Sequence, residues 1–176
     1  MVRRASRFVL FVLLLGMVGC DHATKMGAKA ALEGRGPLEV VSGVLDLRYA
    51  ENRDTAFSLF ERVHFAQKGH VLLALGVVAM IAIGALWWRR RHGSAVEQAG
   101  FALVVAGAIG NVADRFARGY VVDFIHLAHW PVFNVADALV CVGTGLLVLA
   151  HLRQRKGPSS VDGAGSSPIA RRDLGR

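Results

Sequence analysis

The sequence predicts an all-α membrane protein, a bundle of four transmembrane helices that carries a small extracytoplasmic β-sheet. Three observations lead there. The 176 residues are 53% hydrophobic with a mean hydropathy of +0.41, too apolar for an ordinary soluble domain of this length. Four apolar stretches are each long enough to cross a bilayer, and they are bounded by glycine, proline or arginine runs. Between the first two, Leu45, Leu47 and Tyr49 alternate with Asp46 and Arg48, the two-residue period of a half-exposed strand. A formal charge of +8 alone would admit a nucleic-acid binder. The arginines instead gather at the ends of apolar runs, with no basic stripe interleaved by aromatics, so nucleic acid is not an expected partner.

The first span covers about residues 8–32. Arg3, Arg4 and Arg7 precede an apolar run from Phe8 to Gly19, and Met17 to Cys20 reads like the lipobox that ends a lipoprotein signal peptide. Further hydrophobic segments follow, however, and Met26, Ala28, Ala30, Ala31 and Leu32 continue the apolar pattern past Asp21, Thr24 and Lys25. The segment is therefore read as a retained helix with a polar outer end, and cleavage at Cys20 as the lesser alternative. Gly34, Gly36 and Pro37 end it.

Residues 36–67 form the extramembrane β element. One strand is expected at Leu45 to Tyr49 and a second at Ala56 to Phe60, with a turn at Asn52, Arg53 and Asp54, where Asn and Asp tolerate left-handed backbone. Phe57, Leu59, Phe60, Val63 and Phe65 are read mainly as the core of that sheet.

The second span, about residues 70–88, is the cleanest: Val71 to Trp88 is 18 residues without a charge, roughly 27 Å of helix. Trp87 and Trp88 suit a membrane interface, and Arg89, Arg90 and Arg91 stop the segment. The third span is placed at about 95–112 and the fourth at about 132–152, closed by Arg153, Arg155 and Lys156. Gly100, Gly107 and Gly110 read as helix-packing positions; no strand precedes them and no Lys-Ser/Thr follows, as a phosphate loop requires. Residues 1–156 thus make one integral membrane domain, and 157–176, rich in Gly, Ser, Pro and Arg, a disordered tail. Cys20 and Cys141 lie in apolar segments and read as small buried hydrophobes without a disulfide or zinc pattern.

Four spans put both termini on one side. That side carries 12 Lys/Arg against 3 Asp/Glu, and the other 9 against 10. The bias makes the termini and tail cytoplasmic, and the sheet and acidic residues face outward.

Gly107 to Asp137 is the chemically loaded stretch. It sets Asp114, Asp123 and Asp137, with Asn111, Arg115 and Asn134, in and between apolar segments, where ionisable groups are costly and by default functional. Two carboxylates that share a proton can serve as general base and general acid toward a water, the chemistry of metal-free peptide hydrolysis. Asp123 lies near the end of the 110–131 crossover and Asp137 about one turn inside the fourth span, so the two can meet at the outer interface. Spacing leaves Asp114 an equal candidate, with a salt bridge beside Arg115 as its structural reading. His126 and His129 lack a third ligand and read as interfacial histidines beside Trp130, so no metal is expected. No Ser/His/Asp triad order suggests itself, and Ser58 reads as a loop-supporting hydroxyl.

Five motifs, in order, resemble those of signal peptidase II, the lipoprotein signal peptidase family: Asp21-His-Ala-Thr24-Lys25, Asn52-x-x-x-Ala56-Phe57-Ser58, Gly110-Asn111-x-x-Asp114-Arg115, Gly119-x-Val121-Val122-Asp123-Phe124 and Phe133-Asn134-x-Ala136-Asp137. The resemblance implies an aspartic intramembrane peptidase of the bacterial inner membrane that cuts prolipoproteins just before the diacylglyceryl-modified lipobox cysteine. Its implied partners are those prolipoproteins and membrane lipid; no cofactor is expected, and the chain is expected to be a monomer. By the same resemblance Asp123 and Asp137 are the catalytic pair. Asn52, Asn111, Arg115 and Asn134 match positions that line the substrate channel or orient the pair. Asp21, with Lys25 in the same motif, matches one that supports the first helix and the site. Asp114 becomes structural, pairing near Arg115, and the sheet becomes a cradle for substrate outside the membrane. Two departures stand out: His22 where Gln is usual, and Asp54-Thr55 in place of Gly-Ala after Asn52-Arg53. Asp is tolerated in such a turn. The altered loop is the one support for an alternative, a non-catalytic membrane relative that binds lipopeptide or a partner. A proton or ion pathway is weaker still, because the polar cluster does not continue across the spans.

Overall fold

The computed structural model describes residues 2–53 and 68–155. In chain order these form α1 (Val2–Leu32), β1 (Leu38–Val41), β2 (Leu45–Asn52), α2 (Lys68–Arg89), α3 (Ala95–Arg118), β3 (Val121–Leu127) and α4 (Val135–Arg155). All four helices are long and apolar enough to cross a membrane. The four-span bundle and its small sheet therefore stand as the sequence predicts. The expected strand at Ala56 to Phe60, the Asp54-Thr55 departure and the tail lie outside the described residues.

α3 is the hub. It packs on α4 most extensively and on α1 and α2 as well, and 44% of its most apolar window is buried against 6% for α2, whose flanks face outward. Close approach of α3 and α4 depends on glycine. A Cβ on Gly143 would lie 2.8 Å from the Gly100 carbonyl oxygen, so only two bare backbones can cross here. Ser94 caps the start of α3 by accepting the Glu97 N–H, and Gly119, at φ 79°, ends it with its N–H on the Arg115 carbonyl.

The sheet is antiparallel in the order β1-β2-β3. Leu47 and Tyr49 of β2 and Ile125 of β3 pack with Ala28, Leu32 and Phe124, so a small core joins the outer end of α1 to the sheet.

Several expectations need correction. β2 finds its described partners in β1 and in β3, and the latter lies inside what reads from sequence as a crossover. Val121 to Phe124 is buried on both faces, which removes the alternation that marks a strand in sequence. α3 runs to Arg118 rather than about 112, because Asn111, Asp114 and Arg118 turn toward protein partners and not toward lipid. α4 begins at Val135 rather than about 132: Phe133 bridges backbone to backbone with Ile125, and the helix starts only after Asn134. Cys20 and Cys141 are exposed on helix surfaces, not buried, since apolar side chains of a membrane bundle need not turn inward.

Trp87 and Trp88 do sit at the end of α2. The Trp87 indole donates to Gln98 at 2.8 Å, and Trp88 is exposed under the Arg91 guanidinium. His126 belongs to the sheet, its Nδ1 2.8 Å from Asp46 Oδ2. Arg48 holds the Asp46 carboxyl down to about 2, with His126 adding to the effect. Among the described residues no group of three or more His, Cys, Asp or Glu is placed to hold a metal ion.

Candidate active site

The site is built on the first turn of α4. Asn134 is its N-cap: the side-chain Oδ1 accepts the Asp137 N–H at 3.0 Å, and Asp137 Oδ2 accepts the Asn134 N–H at 3.2 Å. This reciprocal pair is a capping box, in which two otherwise orphaned amides are satisfied and the carboxylate at the third helical position is held in one orientation. A negative charge there is also favoured by the helix dipole.

The other half of the Asn134 amide reaches outward. Its Nδ2 donates to Asp123 Oδ1 at 2.6 Å and to Asn111 Oδ1 at 3.2 Å. Asp123 Oδ2 accepts from Asn52 Nδ2 at 2.8 Å, and Asp137 Oδ1 accepts from Asn111 Nδ2 at 2.8 Å. Asn134 therefore touches both carboxylates, and each carboxylate has a second amide of its own. The register of the sheet makes the Asn52 contact possible. Ala50 faces Asp123 across β2 and β3, so Asn52, two residues further, lies on the same face and diagonal to it.

Beneath this layer lies a buried charge cluster. Lys25, with no exposed surface, places Nζ 2.8 Å from Asp21 Oδ2, 3.0 Å from Asp114 Oδ2 and 3.1 Å from Asn111 Oδ1. All three ammonium protons have an acceptor. Asp21 turns its second oxygen to the Ala136 N–H at 2.8 Å, so α1 is fastened to the start of α4. Asp114 gives its second oxygen to Arg118 and also lies 3.4 Å from the Val122 N–H. A buried ion cluster is tolerable only when its hydrogen bonds are filled in this way.

Burial pushes the Asp123 carboxyl up to about 6, and the neighbouring Asp137 charge adds to that; the Asn52 and Asn134 amides pull against it without cancelling it. Near neutral pH Asp123 is thus poised to hold or release a proton.

The residues expected from sequence meet in one place. Asp21, Lys25, Asn52, Asn111, Asn134, Asp123 and Asp137 form one continuous network, and Arg115 is half-buried beside it, its guanidinium 3.4 Å from the Asn111 carbonyl. Asp114 pairs with Lys25 and with Arg118, four residues further along α3. Residues four apart share a helix face and adjacent ones do not, so the signal was present in the spacing of Asp114 and Arg118. His22 is exposed and turned away from the cluster, so that departure does not touch the network. The backbone amides of Val122 and Ala136 also take part, which no side-chain pattern could have indicated.

Fold and site together define a polytopic membrane protein with a carboxylate and amide centre where its bundle meets its sheet. Residues 13–153 match the family model described as signal peptidase (SPase) II. The chain belongs to the signal peptidase II family, and it is a membrane peptidase of lipoprotein processing. It is 33% identical over 152 residues to the lipoprotein signal peptidase of Geobacter sulfurreducens, which covers 83% of this chain and 94% of that one. The lipoprotein signal peptidase of Clostridium novyi is 32% identical, over 84% of this chain and 99% of its own. A solved bacterial membrane enzyme has the same fold, with a TM-score of 0.73 and 22% identity, over 89% of this chain and 94% of that chain. Four apolar spans and this membership fit a multi-pass protein of the bacterial inner membrane.

Proposed function

We propose that this protein is an aspartic endopeptidase that removes signal peptides from prolipoproteins, hydrolysing the bond just before the diacylglyceryl-modified lipobox cysteine, with Asp123 and Asp137 as its catalytic pair. The observation that carries this is that one residue, Asn134, holds both carboxylates, Asp123 through its side-chain amide and Asp137 through its backbone N–H. One carboxylate takes a proton from water as the water oxygen attacks the scissile carbonyl. The other, protonated, gives its proton to the carbonyl oxygen; as the C–N bond breaks, the first passes the proton it took from water to the leaving amine, and the second recovers its own from the collapsing diol. Asp123, raised to about 6 by burial, can hold a proton near neutral pH.

In this reading Asn111 and Asn134 orient the pair, Asn52 and Arg115 line the substrate channel, and Asp21 and Lys25 hold α1 against α4. The sheet cradles the chain being cut. The excess of basic residues on the terminal side puts both termini in the cytoplasm and the pair near the extracytoplasmic face. The protein acts as a monomer among membrane lipid.

The test is cleavage of a diacylglyceryl-modified prolipoprotein by the detergent-purified protein, beside its Asp137→Asn variant, with the products sized by mass spectrometry. Cleavage before the modified cysteine by the parent alone supports the reading. Equal cleavage by the variant removes Asp137 from the catalytic pair, and binding without cleavage by both leaves only recognition.

A further inference from the structure

At the end of the bundle opposite the carboxylates, α1 and α2 each pack on α3 but share few contacts with one another. They leave a crevice of about 330 Å³, walled by Phe11 and Leu14 of α1 and Gly84 and Trp87 of α2, with Gln98 of α3 at its floor and Arg91 at its mouth. The polar groups of the floor are already occupied: Gln98 accepts the Trp87 indole N–H at 2.8 Å and donates to the Arg90 carbonyl at 2.7 Å. The interior therefore offers mainly apolar contact. Arg91, by contrast, is exposed. It rests 5.3 Å above the Trp88 ring and gives one N–H to the Trp88 carbonyl, which leaves its other guanidinium donors open to a ligand. Arg90 is balanced by Glu97, 3.5 Å away, whereas no acidic residue is recorded in an ion pair with Arg91 among the described residues.

We propose that this crevice binds an anionic phospholipid, with one acyl chain between α1 and α2 and the phosphate at Arg91. Chemistry favours an acyl chain over a peptide: the walls are largely apolar, and an extended hydrocarbon chain brings no backbone amides that need partners there. Charge favours an anionic headgroup, since the run Arg89, Arg90 and Arg91 sits at the level where phosphates lie and each basic residue adds attraction to an anionic surface. The site is remote from the catalytic pair and does not depend on the peptidase reading.

The protein contains three tryptophans, and one of them, Trp87, is a half-buried wall of the crevice. With Trp88 and Trp130 changed to phenylalanine, Trp87 reports alone. Acyl-brominated phosphatidylglycerol or phosphatidylcholine is then titrated into nanodiscs of unlabelled phosphatidylcholine and quenching is followed. Saturable quenching is expected, half-complete at an about fivefold lower mole fraction for the anionic lipid, the attraction of one basic residue. Arg91→Gln should make the two lipids equal, and Arg91→Lys should keep the preference. A Cβ at Gly84 meets nothing within 4 Å, so Gly84→Leu fills the crevice without disturbing the helices and should lower quenching by both lipids. Equal quenching by the two lipids in the presence of Arg91, or quenching untouched by Gly84→Leu, overturns the proposal. So does relief of quenching by a synthetic prolipoprotein signal segment, which would assign the crevice to substrate.

Discussion

Asn134 and Asp137 cap one another: each side chain accepts the other's backbone N–H, at 3.0 and 3.2 Å, and the same Asn134 side chain donates to Asp123 at 2.6 Å. One residue therefore starts a transmembrane helix and fixes both carboxylates. The two duties can be separated. Asn134→Ser keeps a capping oxygen but loses the amide donors, so thermal stability in detergent should change little from the cap while cleavage falls about a hundredfold or more. Asn134→Ala loses the cap as well, at a further cost of about 1 kcal/mol. Comparable activity in the serine variant and the parent would show that the amide does not orient the pair.

Asp123→Asn and Asp137→Asn should each abolish cleavage while the protein still unfolds cooperatively on heating. Asparagine can still accept at both positions, so the fold is expected to persist. Turnover in either variant within about tenfold of the parent would remove that residue from catalysis.

The raised carboxyl of Asp123 makes stability depend on pH. Its folded value, about 6, lies above the ordinary aspartate value of 3.8, so the folded state binds the proton more tightly than the unfolded chain. Ionisation then costs folding energy, progressively from about pH 4 to pH 6 and constant above, about 3 kcal/mol in all. Asp123→Asn, which never ionises, should gain in melting temperature relative to the parent as pH rises through that window. A difference that is flat from pH 4 to 8 would mean that the carboxyl is not shifted.

Lys25→Met strands two buried carboxylates, and a loss of about 3–5 kcal/mol is expected for removing one partner of such a cluster. Adding Asp114→Asn should recover part of it by removing one of the stranded charges. Denaturant unfolding of the single and double variants measures the coupling, and strict additivity would show that Lys25 and Asp114 are not partners.

Gly110 stands so close to α1 that a Cβ there would collide with the Asp21 carboxylate. Gly110→Ala should pull Asp21 from the Ala136 N–H and cut cleavage at least about tenfold, although alanine is the better helix former. Gly84→Ala, in open space, is the control and should leave cleavage unchanged.

Much of this arrangement is legible in the residues. Four spans follow from uninterrupted apolar length, and a polar cluster in so apolar a chain marks a site on energetic grounds. The choice of Asp123 and Asp137 over Asp114 came from motif resemblance, since spacing could not say which carboxylates share a neighbour. β3 escaped because a strand buried on both faces has no alternation, and its partner β2 lies some seventy residues away. The late start of α4 escaped for a related reason: apolar Val132 and Phe133 read as helix, yet Phe133 is spent on bridging to the sheet.

The buried charges are also paired along the chain. Lys25 and Asp21 are four residues apart on α1, and Arg118 and Asp114 are four apart on α3. Each helix can therefore enter the bilayer during synthesis with its cation already beside an anion, long before the other helix exists. Bundle assembly then links two neutral pairs through the Lys25 to Asp114 contact at 3.0 Å, so none of these four ions has to wait in lipid for a partner that is still on the ribosome.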